Sequence, residues 1–206
     1  MNATFDRSKL TVGVLALQGA FSAHEHALRR VGVSTRQVRL PRDLDGVDGL
    51  AMPGGESTTM SQLLDSSGLF DEISRRLESG LPVLGTCAGV ILLASTVLDG
   101  RSDQKSFGAL PVTVRRNAYG RQIDSFETDL DVTGLDRSFT AVFIRAPIIE
   151  SLDGDVEILA RHDNLPVAVA HRNVVGVTFH PELTDDFRIH GLFVDRIVNS
   201  LETNRR

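Results

Sequence analysis

Apolar positions in this chain fall into short runs that alternate with stretches of helical spacing. Thr11 to Leu17 reads as a first strand, followed by Phe21, His24, Ala27, Leu28 and Val31, which share one helix face. Further strands are predicted at Thr35 to Val38, Gly49 to Met52 and Pro82 to Gly85, and helices at Thr58 to Leu64, Phe70 to Leu77 and Ala88 to about Val97. This alternation predicts a mostly parallel sheet with helices on both faces. After Gly100 the strands crowd together: Val112 to Arg115, Ile123 to Leu130, Ala141 to Ile144, Val156 to Ala160, Val167 to His171 and Val174 to Phe179. Antiparallel pairing is expected there. A last amphipathic helix, Asp185 to about Leu201, carries Ile189, Phe193, Ile197 and Leu201, and a polar tail follows.

Composition narrows the picture. The 206 residues, 41% of them hydrophobic, suit one α/β domain over 1–206 with polar termini at 1–9 and 202–206. A net charge of -5 argues against nucleic acid or an anionic membrane as main partner. The single cysteine excludes an internal disulfide and fits a reducing, cytoplasmic setting. The apolar run from Leu10 to Leu17 is too short and too mixed for a signal peptide. Ser79 to Leu98 is uncharged, but Gly80, Pro82, Gly85, Thr86 and Gly89 break it, so it reads as strand, turn and buried helix rather than a membrane span.

That cysteine, Cys87, lies in Gly85-Thr86-Cys87-Ala88-Gly89, where a strand runs into a helix. Small residues on either side allow the strained turn of a nucleophile elbow, and the helix N-terminus favours the thiolate. A lone cysteine is often only a small buried hydrophobe. The segment Phe179-His180-Pro181-Glu182 supplies a separate signal: His180 as base and Glu182 as its orienter, two residues apart at a strand end and so on one side. Pro53-Gly54-Gly55-Glu56-Ser57-Thr58 follows a strand and could form half of an oxyanion hole, or simply cap a helix through Ser57 or Thr58; it lacks the lysine of a phosphate loop. Arg115, Arg116, Arg121 and Arg145 could hold a carboxylate, though spacing alone does not separate them from surface ion pairs. His24-Glu25-His26 puts its histidines on different helix faces, and no metal site is expected.

Six segments carry a resemblance. Ala16-Leu17-Gln18-Gly19, Pro53 to Thr58, Gly85 to Gly89, Arg116-Asn117-Ala118-Tyr119-Gly120-Arg121-Gln122, Phe143-Ile144-Arg145-Ala146-Pro147 and Phe179 to Thr184 together resemble the glutaminase subunits of pyridoxal 5′-phosphate synthases, among the class I (triad) glutamine amidotransferases. The resemblance implies a single-domain, three-layer fold with a mixed, mostly parallel sheet and a nucleophile elbow. It implies hydrolysis of L-glutamine through a γ-glutamyl thioester on Cys87, with His180 and Glu182 completing the triad and no cofactor. It places glutamine against Gly55, Glu56, Ser57, Arg116, Ile144 and Arg145, and the oxyanion on backbone N–H groups at Gly55 and Ala88. At Gln18 and Gly19 it places a gating contact with the synthase subunit. It also implies weak activity for the isolated chain. A glutaminase feeding another synthase, or a glutamine-binding module without turnover, are the alternatives. Ser102-Asp103-Gln104-Lys105 is more polar than is usual in that family; it touches no expected catalytic position and is expected to alter the surface around the rim of the site.

Overall fold

A computed structural model describes residues 5–116 and 125–203. Asn117 to Gln122, the family-like segment that includes Arg121, and the first two residues of the strand expected from Ile123 lie outside the described residues. Seven strands form the central sheet: β1 (Thr11–Leu15), β2 (Ser34–Val38), β3 (Gly49–Met52), β4 (Val83–Thr86), β10 (Glu157–His162), β11 (Leu165–His171) and β12 (Val174–Val177). Among the described residues the α-helices are α1 (Phe21–Arg30), α2 (Ser57–Ser66), α3 (Leu69–Glu78), α4 (Ala88–Leu93) and α5 (Arg188–Thr203). The strand order is β10-β11-β12-β4-β3-β1-β2, parallel from β12 to β2 and antiparallel through β10, β11 and β12. A three-stranded sheet of β5 (Ala94–Leu98), β6 (Leu110–Arg115) and β9 (Ile148–Leu152) and a hairpin of β7 (Phe126–Leu130) and β8 (Phe139–Phe143) complete the fold.

The two-residue period of the strands divides their side chains between two cores. Val12, Val14, Ala51, Leu84, Val175 and Val177 pack with Leu28 of α1, with Ile189, Phe193 and Ile197 of α5, and with Phe139 and Phe143 of β8. Leu50, Met52, Val83 and Val174 face the other way, onto Met60 and Leu64 of α2, Ile73 of α3 and the apolar α4. Helices therefore flank both sides of the sheet, as expected. Each fully buried Leu, Val or Phe contributes about 1.5–3 kcal/mol relative to exposure, so both layers are needed to hold the sheet. Among the described residues no helix is long and apolar enough to cross a membrane.

Several boundaries differ from expectation for identifiable reasons. The helix after Cys87 ends at Leu93 rather than near Val97: Ala94 turns to an extended conformation (φ −63°, ψ 149°), and the following β-branched Thr96 and Val97 pair in parallel with β6. Strand β9 was not expected, because Glu150 and Ser151 interrupt its apolar run; it pairs antiparallel with β6. The last helix starts at Arg188 instead of Asp185, since Asp186 accepts a hydrogen bond from the Arg188 backbone N–H at 3.1 Å and marks the turn before it. Strand β1 stops at Leu15 and β12 at Val177, each two residues short of expectation.

Candidate active site

Parallel strands carry their following loops to one edge, and crevices form outside those carboxyl ends. Here four neighbours in the order β12, β4, β3, β1 deliver, respectively, His180, Cys87, the Gly54-Gly55-Glu56 loop and Gln18-Gly19 to that edge. Residues far apart in sequence are thus gathered by topology.

Cys87 occupies the elbow at φ 48° and ψ −105°, a strained conformation for a residue with a side chain. Two glycines allow it. A Cβ on Gly85 would lie 2.5 Å from Leu93 Cδ1 and 2.9 Å from the Gly89 backbone, and one on Gly89 would overlap the Met52 carbonyl oxygen. Helix α4 therefore presses directly on the ends of β3 and β4. The Cys87 N–H donates to the Val177 carbonyl at 2.9 Å, fixing the elbow to β12. The Sγ lies 3.9 Å from the Ile144 carbonyl oxygen, which brings the 143–147 segment to Cys87.

His180 Nδ1 and Glu182 Oε1 are 2.8 Å apart. The contact was expected, but its geometry was not: Pro181–Leu183 form a 3₁₀ turn, so Glu182 folds back onto His180 rather than lying beside it along a strand. Burial works against a charged imidazole, but hydrogen bonding and charge attraction from Cys87 and Glu182 outweigh it and raise His180 from 6.5 to about 10. Burial likewise opposes the Glu182 charge, yet the hydrogen bond from His180 and the nearby His24 hold it well below the usual carboxylate range. The result is a partly buried line of Cys87, a charged His180 and a charged Glu182.

The remaining expected residues divide into two groups. Glu56 caps α2 by accepting from the Thr58 N–H at 3.1 Å and the Thr59 N–H at 2.7 Å, so the cap is Glu56 rather than Ser57 or Thr58. Arg116 Nη2 donates to Glu56 Oε1 at 2.8 Å and its Nη1 to Gln104 Oε1 at 2.6 Å. Gln104 Nε2 reaches Ser57 Oγ at 3.4 Å, so the polar 102–105 segment touches expected substrate-binding positions. Gln18 Oε1 accepts from the Glu56 N–H at 3.2 Å. Arg145, by contrast, is exposed at φ 46° and forms no ion pair among the described residues. Arg115 pairs with Asp99 and Glu150 on the surface.

Sequence reasoning missed Gly54, where a Cβ would lie 2.6 Å from His180 Cε1 and 3.4 Å from Cys87 Cβ. It also missed His24, which lies fully buried 3.4 Å from Glu182 Oε2. The available signal was the place of His24 on the apolar face of α1.

A model of the SNO glutamine amidotransferase family matches residues 14–199. The chain belongs to this family. It is 55% identical over 186 residues to the pyridoxal 5′-phosphate synthase subunit PdxT of Mycobacteroides abscessus, covering 90% of this chain and 96% of that one. It is 51% identical to the PdxT protein of Roseiflexus castenholzii, which bears the same name, covering 90% of this chain and 100% of that one. A crystal structure of a glutamine amidotransferase superposes with a TM-score of 0.86 at 48% identity, covering 90% of this chain and 98% of that chain. A putative GMP synthase protein from Thermoplasma acidophilum, at 20% identity and a TM-score of 0.69 over 96% of this chain and 98% of its own, shares the fold.

Proposed function

We propose that this SNO-family chain, one domain over residues 1–206, hydrolyses the side-chain amide of L-glutamine and passes the ammonia to a pyridoxal 5′-phosphate synthase subunit in the cytoplasm. The observation that carries the chemistry is the 2.8 Å contact of His180 Nδ1 with Glu182 Oε1, with His180 and Cys87 meeting beside Gly54. The partner reading is supported by the name shared by relatives about half identical to this chain.

Cys87 would give its proton to His180 and attack the amide carbon as thiolate. The carbon–sulfur bond forms as the carbonyl π electrons move to oxygen, which Gly55 and Ala88 N–H groups would hold; one such donor contributes about 3 to 4 kcal/mol in the transition state. The intermediate collapses, the carbon–nitrogen bond breaks, and the His180 proton goes to the leaving ammonia. Neutral His180 then takes a proton from water, the hydroxide attacks the thioester, and the thiolate leaves as glutamate forms. Glu182 stabilises the imidazolium in both half-reactions without making bonds. Arg116, Glu56, Ser57 and Ile144 line the loops around the nucleophile and would hold the amino acid end, with Arg145 recruited from the surface. Gln18 and Gly19 would transmit docking of the synthase to the Gly54-Gly55 loop, leaving the isolated chain weakly active.

Acid-quenched turnover followed by mass spectrometry tests the intermediate. A γ-glutamyl adduct on the Cys87 peptide, absent in Cys87→Ala, is expected; an adduct elsewhere or turnover in the variant would overturn the reading.

A further inference from the structure

Glu182 has two carboxylate oxygens, and His180 uses only Oε1. Oε2 is buried and makes no full hydrogen bond. Its near neighbour is His24 Nε2 at 3.4 Å, with both side chains 0% exposed. A buried carboxylate oxygen left without a donor is costly, so the identity of the group facing it matters. The same His24 Nε2 lies 3.2 Å from Thr86 Oγ1, and His24 Nδ1 lies 3.0 Å from His190 Nε2. His190 Nδ1 is the other buried side-chain atom without a partner among the described residues. Behind the triad, α1 and α5 therefore add two histidines in series, and the mechanism above uses neither.

Proton accounting sets the direction of this line. A carboxylate only accepts, so any hydrogen between His24 and Glu182 sits on His24 Nε2. With one hydrogen per ring, His24 Nδ1 is then bare, and the hydrogen between the two rings comes from His190 Nε2. Burial pushes His190 down to about 3, which keeps that ring neutral with a single N–H to place. Its Nδ1 is left as a lone pair in an apolar layer. The reverse arrangement would set a His24 lone pair against the carboxylate and bury a His190 N–H with no acceptor.

We propose that His24 and His190 are positioning residues for glutamine hydrolysis: His190 Nε2–H fixes His24 as its Nε2–H tautomer, and His24 donates to Glu182 Oε2, holding the carboxylate against His180. Neither ring touches glutamine. The proposal rests on the reading of Cys87, His180 and Glu182 as the catalytic triad.

Nitrogen NMR of the wild-type protein reads the tautomer directly: protonated Nε2 and bare Nδ1 on His24 are expected, and the opposite pattern overturns the proposal. Glutaminase assays on the complex with its synthase partner read the consequence. His24→Leu should lower kcat about ten-fold with KM changed by less than about two-fold. His24→Gln, which keeps a donor near the Nε2 position, should recover most of that loss. Adding His24→Leu to Glu182→Gln should cause no further fall, because the effect runs through the carboxylate. An unchanged kcat in folded His24→Leu, equal losses for Leu and Gln, or a full second loss in the double variant would each overturn it. If His24→Leu does not fold, the Gln variant and the wild-type tautomer decide. An undiminished Glu182→Gln rate would instead refute the triad reading itself.

Discussion

Gly19 is seated against Gly54 so closely that a Cβ on Gly19 would overlap the Gly54 carbonyl oxygen, and its backbone already lies at φ 84°. Next to it, Gln18 accepts a hydrogen bond from the Glu56 N–H. The loop after β1 thus rests on the loop that faces both Cys87 and His180, giving a displacement at one a direct mechanical route to the other.

Gly19→Ala should therefore do two things: lower stability by at least about 1 kcal/mol, from backbone strain plus overlap, and abolish synthase-stimulated glutamate release. Gly32→Ala is the control, because Gly32 also has positive φ (93°) but has open space around its Cβ position. It should cost about 1 kcal/mol in urea unfolding and leave activity alone.

Glu56 joins a helix cap to an ion pair. Partial burial opposes its charge, but hydrogen bonds from Thr59 and Thr58 bring it from 4.5 down to about 2. A carboxylate depressed in the folded state stabilises above its unfolded value and loses that contribution as pH falls through the folded one. Glu56→Ala should lower stability by about 1 kcal/mol at neutral pH, as loss of a cap does. The gap to wild type should close between about pH 4.5 and 2, as chemical denaturation across that range would show.

Arg116 is braced by Glu56 on one side and Gln104 on the other. Gln104→Ala frees the guanidinium without touching Cys87, His180 or Glu182. KM for glutamine should rise roughly three- to ten-fold, matching one lost hydrogen bond to a charged group, with kcat unchanged. A fall in kcat at constant KM would count against a substrate-holding role for Arg116.

His180 should remain an imidazolium well above neutrality, titrating near pH 10 by NMR because Cys87 and Glu182 both support its charge. In Cys87→Ala one of those supports is gone, and the titration should move toward ordinary histidine values.

The parts legible in the sequence were those encoded locally. Cys87 with its flanking glycines, and His180 with Glu182 two residues later, each fit in one short segment. Topology placed those segments on the neighbouring strands β4 and β12, and that parallel pairing was not legible: Val174 to Phe179 sits among strands expected to pair antiparallel. The strand β5 was hidden because Ala94 to Leu98 continues the apolar run of α4, and only pairing with β6 makes it extended. Gly54 stood as one glycine of a glycine-rich loop; its constraint is the His180 ring, more than a hundred positions away in the chain. His24 and His190 lie on two helices separated by most of the chain, and each alone is an ordinary histidine on an apolar face. Contacts that depend on two distant elements meeting leave no local pattern.

Glutamate release from L-glutamine by the chain alone and with its synthase partner, beside Cys87→Ala, reads turnover at Cys87. Weak release alone, clear stimulation by the partner and none in the variant are expected. Release by Cys87→Ala equal to wild type, or no release from the wild-type complex, would contradict the glutaminase reading.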